Sequence, residues 1–230
     1  MGHLIVISSG KSISLEGLTP KKSLSEVMKN VNHEELLDKV LIVLLDKRGS
    51  MSYSMGRDTK IAMAWKILKA DLMPNMTGWA YGLLTFGGWN DTHWEVYPCR
   101  DTKALMLLSN PNAEGGTPMG KALGTVWSWV STHATSARFI LLSDGCPTDV
   151  SGDEILEIAR TYHTNIPIDI VGIGHASNGY SGFAEYDPEF LRELSRITGG
   201  IFSEVGTVKQ LTNTILKLSP TNRPLLGTVN

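Results

Sequence analysis

Four oxygen-bearing side chains could act together: Asp46, Ser50, Thr117 and Asp144. Asp46 closes the apolar run Val40-Leu41-Ile42-Val43-Leu44-Leu45 and opens the loop Asp46-Lys47-Arg48-Gly49-Ser50-Met51-Ser52. Thr117 lies in Gly115-Gly116-Thr117-Pro118, and Asp144 follows Phe139-Ile140-Leu141-Leu142-Ser143 and precedes Gly145. Two carboxylates and two hydroxyls suit a hard divalent cation, which takes oxygen ligands. Short continuous apolar runs bounded by turns read as buried strands of a parallel sheet. Ligands of such sheets bind outside the carboxyl ends of the strands, where Asp46 and Asp144 both fall. Taken singly, an Asp after a strand is more often a helix or turn cap. The ordered set is what points to a site.

These segments resemble the von Willebrand factor type A (VWA) domain and its metal-ion-dependent adhesion site. That family writes its first loop Asp-x-Ser-x-Ser and supplies a Thr and an Asp later. Asp46, Ser50, Thr117 and Asp144 match four of those five places, and the resemblance runs over residues 38–218. It implies a doubly wound α/β fold: a mostly parallel sheet with helices on both faces and one antiparallel edge strand. It also implies that Ser50 and Thr117 ligate Mg²⁺ (or Mn²⁺ or Ca²⁺) through their hydroxyls, with Asp46 and Asp144 acting directly or through water. In the family an acidic side chain of a partner protein fills the open coordination position. The implied function is a non-enzymatic protein–protein interaction module of the bacterial stand-alone type. An AAA+ ATPase is a partner by analogy alone.

The fifth place of the motif is Arg48, where the family has Ser. A guanidinium has five donors and no acceptor, so it cannot ligate a metal. Two outcomes are open. Arg48 folds inward, pairs with Asp46 and Asp144 and stands in for the cation, or it swings to solvent and leaves water in the missing ligand's place. Both weaken the metal site. The alternative function is a metal-dependent hydrolase or phosphatase, since strands ending in Asp also occur in phosphate-transfer folds. Such enzymes usually need a second Asp two residues on, or a reactive Lys in its own loop, and position 48 is Arg48. No nucleophile–base constellation is legible, so no catalytic residue is assigned.

Length and composition fit this reading. A chain of 230 residues is long enough for a three-layer core. A net charge of -2 argues against a general nucleic-acid binder, which would carry a basic excess. No apolar run is long enough to span a membrane, and the apolar patch Leu4 to Ile7 lacks the rest of a signal peptide. The expected setting is therefore the cytoplasm, with Cys99 and Cys146 reduced. Cys146 is expected to be structural.

The elements that must hold the four residues alternate along the chain. Residues 1–37 read as an extended arm or extra edge strand followed, over 21–37, by a short amphipathic helix; 38–218 are the domain, and 219–230 a tail. Strands are expected at 40–45, 79–86, 138–142, 168–173 and 201–204, with a hairpin return at 93–97. Helices are expected at 60–72, 118–130, 153–162, 188–197 and 208–218. Weaker signals fail on spacing. Gly10-Lys11-Ser12 lacks the first glycine of a phosphate-binding loop, and Gly172-Ile173-Gly174 lacks the third of a dinucleotide fingerprint. Of Trp127 and Trp129, which cannot share a helix face, one is expected in the core. The loops Trp89-Asn90-Asp91 and Tyr180-Ser181-Gly182-Phe183 carry aromatics among small polar residues, a composition that suits protein contact.

Overall fold

A computed structural model describes residues 6–8, 11–13, 36–89, 91–101, 103–162, 165–174 and 187–222. The chain divides into two compact units, residues 1–35 and 36–230. In the first, β1 (Val6–Ser8) and β2 (Lys11–Ile13) pair antiparallel with each other. They form a two-stranded sheet of their own. The helix expected at 21–37 falls almost wholly outside the described residues.

The second unit is built on β3 (Val40–Asp46), whose residues are all buried. A strand buried on both faces has no polar side to alternate with, which is why it reads as an unbroken apolar run. Leu41, Val43 and Leu45 point into one apolar cluster, and Val40, Ile42 and Leu44 into another. Helices cover both. On the first face lie α1 (Lys60–Ile67), through Ile61, Ala64 and Trp65, and α6 (Val208–Leu218), through Leu211, Ile215 and Leu218. On the second lie α3 (Met119–His133), α4 (Gly152–Tyr162) and α5 (Pro188–Ile197). Fully burying one such Leu or Ile contributes about 1.5–3 kcal/mol, so the two clusters hold the sheet edges in a fixed position. Trp127 is the core member of its pair. Trp129 is half-buried and stacks on His133, with ring centroids 4.8 Å apart.

Besides β3, the main sheet contains β6 (Ala80–Gly87), β7 (Asp91–Cys99), β8 (Ala137–Ser143), β9 (Ile168–Ile173) and β10 (Phe202–Val205). Their order is β10-β9-β8-β3-β6-β7, parallel except for the antiparallel edge strand β7. The chain runs from β3 outward through β6 to β7, then returns to the other side of β3 as β8. The order therefore reverses between β3 and β8, which makes the crevice at their carboxyl ends the topological switch point of the sheet. Leu45 pairs with Leu142, so Asp46 and Ser143 end neighbouring strands at the same level.

Three local features depart from the sequence reading. The helix from Lys60 becomes a π-helical turn over Leu68–Leu72 before Pro74. A short helix, α2 (Lys103–Met106), lies in a stretch where no element was expected. A tight hairpin of β4 (Ser54–Met55) and β5 (Asp58–Thr59) follows the first loop and brings Lys60 back to Tyr53, whose carbonyl accepts from the Lys60 N–H at 2.9 Å.

Candidate functional site

Asp46 is the last residue of β3 and is fully buried. Its Oδ1 accepts the Arg48 backbone N–H at 2.8 Å, and its Oδ2 accepts the Ser143 hydroxyl at 2.6 Å. The first bond folds the loop back over the strand end. The second ties β3 to β8. Asp144, one residue beyond β8, is also buried. Its Oδ1 accepts the Ser50 hydroxyl at 2.8 Å, across 94 residues of sequence. Its Oδ2 accepts from Lys60 Nζ at 2.6 Å. Ser50 sits in a single 3₁₀ turn, Gly49–Ser52, that follows the Asp46 loop.

The Thr117 loop threads between these segments. The Glu114 N–H donates to the Lys47 carbonyl at 2.7 Å, and the Gly49 N–H to the Gly115 carbonyl at 3.1 Å. Gly115, at φ 67°, bridges Gly88, and a Cβ there would overlap the Gly88 backbone. On its other side the Thr117 N–H donates to Thr148 Oγ1 at 2.8 Å, and the Thr148 N–H returns to the Thr117 carbonyl at 2.9 Å. Asp149 then caps the start of α3 from outside the helix, accepting the N–H groups of Gly120 and Lys121 at 3.1 and 2.7 Å. Thr117 Oγ1 is buried without a hydrogen-bond partner. Such an atom costs free energy unless something else satisfies it.

Ser50 and Asp144 are thus in direct contact. Asp46 joins them through Ser143 and through the charge of Asp144. Thr117 is held between their loops by its backbone. The Arg48 guanidinium packs against Gly145, where a Cβ would collide with it. Its charge lowers the pKa of Asp46, but not enough to offset burial, which together with Asp144 pushes Asp46 up to about 7 against the help of Ser143 and Arg48. Burial likewise raises the half-buried Cys146 thiol, aided by Asp187 and opposed by Arg48.

Three contributors escaped the sequence reading: Lys60, Ser143 and Thr148. Ser143 stands inside the quoted Leu142-Ser143-Asp144-Gly145 motif, so its place one residue before a ligand-type Asp was a usable signal. Lys60 carries no such mark, because a lysine starting an amphipathic helix reads as a solvated residue.

The residues as they stand do not fit a divalent ion. Both oxygens of each carboxylate already accept hydrogen bonds, and the charges of Arg48 and Lys60 lie against the two negative groups. Among the described residues no three His, Cys, Asp or Glu side chains gather as metal ligands. Thr117 Oγ1 is unpartnered, and Ser50 Oγ directs its proton to Asp144 but keeps its lone pairs.

No family model and no curated protein matches the sequence. The fold, however, is shared with solved structures, and it is that of a VWA-type domain. One is the ArnB paralog VWA2 from Sulfolobus acidocaldarius, 21% identical with TM-score 0.61, covering 80% of this chain and 46% of that one. Another is a von Willebrand factor type A protein from Catenulispora acidiphila, 22% identical with TM-score 0.62, covering 81% and 42%. A third is the SpRpn10 VWA domain, 16% identical with TM-score 0.58, covering 84% and 100%. The chain therefore spans less than half the length of the first two. Among the described residues no helix is long and apolar enough to cross a membrane.

Proposed function

We propose that this chain is a non-enzymatic protein-binding module whose partner docks on the carboxyl edge of the sheet, over Asp46, Ser50, Thr117 and Asp144. The observation that carries the reading is a pair of exposed aromatics on the segments beside the loops of those residues. Trp89 is 98% exposed on the turn after β6, one residue past the Gly88–Gly115 bridge. Tyr53 is 59% exposed beside the Ser50 turn, with the Lys60 ammonium 5.9 Å from its ring. Exposed aromatics beside a fixed polar cluster are the side chains that dominate protein interfaces. The other aromatic loop, Tyr180 to Phe183, lies outside the described residues. An acidic side chain of the partner is the group this edge would receive, an AAA+ ATPase is a partner class by analogy, and the setting is the cytoplasm. Any Mg²⁺ at the site would be weakened by Arg48.

The test uses the whole chain as bait in extract of its source cells, beside Trp89→Ala and Tyr53→Ala. Both variants alter exposed residues, so both should keep the wild-type Tm. Loss of a central aromatic anchor costs at least about 2 kcal/mol of binding. A protein retained by wild type and lost by the variants supports the reading. Equal retention by all three overturns it. So does Mg²⁺-dependent hydrolysis of a phosphate ester that Asp46→Asn abolishes, because the site would then be catalytic.

A further inference from the structure

We propose that the resident cation of this site is the Lys60 ammonium, and that the oxygen cluster is built to work without a divalent ion. The proposal holds whether or not a protein docks at this edge.

The ion pair itself is the first argument. Lys60 Nζ lies 2.6 Å from Asp144 Oδ2, with the carboxylate side chain 2% exposed and that of the lysine 16%. An ammonium so withdrawn from water is retained only where a charged partner compensates its desolvation. With Ser50 on Oδ1 and Lys60 on Oδ2, the Asp144 carboxylate is engaged at both oxygens.

The second argument is where Lys60 stands. It is the first residue of α1, the end at which the helix dipole disfavours a cation. Thr59 already caps that end, its Oγ1 accepting the Ala62 N–H at 3.2 Å. A lysine here works against the helix. Its side chain instead crosses the loop, passing the Tyr53 ring and coming close to Gly174 at the end of β9, to reach a carboxylate 84 residues away. The β4–β5 hairpin is what makes this reach possible.

The third argument is charge balance. Arg48 occupies the place of a hydroxyl ligand and lies against Gly145, in the same loop as Asp144. Two side-chain cations face two carboxylates. A divalent ion would find no net negative charge to neutralise and would have to displace Lys60 from Asp144.

Mn²⁺ is the probe, followed by its free-ion paramagnetic resonance signal and by thermal unfolding of the full chain. Wild type should have the same Tm in EDTA and in Mn²⁺ and should leave the free Mn²⁺ signal undiminished. Lys60→Met removes the ammonium and keeps its stem. In EDTA it should unfold at lower temperature than wild type, Mn²⁺ should restore it, and it should bind the ion at least about tenfold more tightly. Arg48→Ser, which removes a cation and returns an oxygen donor, should also bind more tightly than wild type, and the double variant most of all. Wild-type binding equal to that of the variants overturns the proposal, as does a Lys60→Met protein that neither loses stability nor gains metal. If Lys60→Met fails to fold, the ammonium can be observed directly in ¹⁵N-labelled wild type. A slowly exchanging Lys60 NH₃⁺ signal, unmoved by Mg²⁺, is expected. Exchange as fast as that of exposed lysines, or displacement of the signal by Mg²⁺, overturns the proposal.

Discussion

At Asp46 two opposing effects meet, and burial wins. The backbone N–H and charge of Arg48 and the hydroxyl of Ser143 favour the carboxylate, yet desolvation and Asp144 raise its pKa from 3.8 to about 7. The unfolded chain loses this proton near pH 3.8, while the folded chain keeps it until about pH 7. Between those values the folded state binds more protons, so stability falls as pH rises, by about 4 kcal/mol at most over the window. Asp46→Asn should flatten that slope and exceed wild type in stability at pH 8 but not at pH 4. Urea denaturation of both proteins at the two pH values measures it, and identical slopes would sink the assignment. Asp46, Ser50, Thr117 and Asp144 each stand out in the sequence as an oxygen-bearing residue at a strand end or turn, and Ser50 and Asp144 meet across 94 residues. Lys60 does not stand out, because its partner is decided by a tertiary contact across 84 residues.

At the scale of elements, legibility followed burial. Strand β9 and helices α5 and α6 fall on the expected residues because a buried apolar run or a clear amphipathic face leaves little choice of boundary. The β4–β5 hairpin and α2 were missed because each is too short for a period to develop. β8 hides another surprise. Its second residue, Arg138, is 1% exposed and directly precedes the apolar run Phe139–Leu142. Its Nε is 3.5 Å from Asp169 Oδ2 on β9, its guanidinium is 5.7 Å from the Trp79 ring centroid, and its Nη2 donates to the Leu218 carbonyl at the end of α6. Asp169 in turn accepts the Ile201 N–H at 2.9 Å, ahead of β10. One buried ion pair thus fastens β8, β9, α6 and the approach to β10. Arg138→Met would leave Asp169 charged and uncompensated in the interior, a loss of about 3–5 kcal/mol. Adding Asp169→Asn, which can still accept from Ile201, should recover part of that loss. A single variant within about 0.5 kcal/mol of wild type in urea would show that the pair is not a fastener.

For the whole molecule, the residues that make the two apolar clusters run, among the described residues, from Leu37 to Leu218. They sandwich one sheet, and the site lies where that sheet reverses its strand order. Everything that fixes the site, from the Asp46 loop to Lys60, Thr117 and Asp144, hangs on that sandwich. The sandwich is tied off at its beginning by Leu37: its N–H donates to the His133 carbonyl at 2.9 Å, its carbonyl accepts the Thr135 N–H at 3.0 Å, and it bridges Ala134. At the other end Ser219 turns the chain on α6, its hydroxyl donating to the Leu216 carbonyl at 2.7 Å. Residues 1–35 separate as a unit of their own. A fragment of residues 36–222 should therefore unfold in one cooperative step, with a Tm within a few degrees of the full chain, because it keeps every side chain that the described residues place in the two clusters. Beginning the fragment at residue 39 deletes the Leu37 ties and their partly buried side chain, and should cost about 1–3 kcal/mol. Calorimetry of the three proteins decides it: a broad, uncooperative transition for 36–222 would mean that residues 1–35 complete the folding unit.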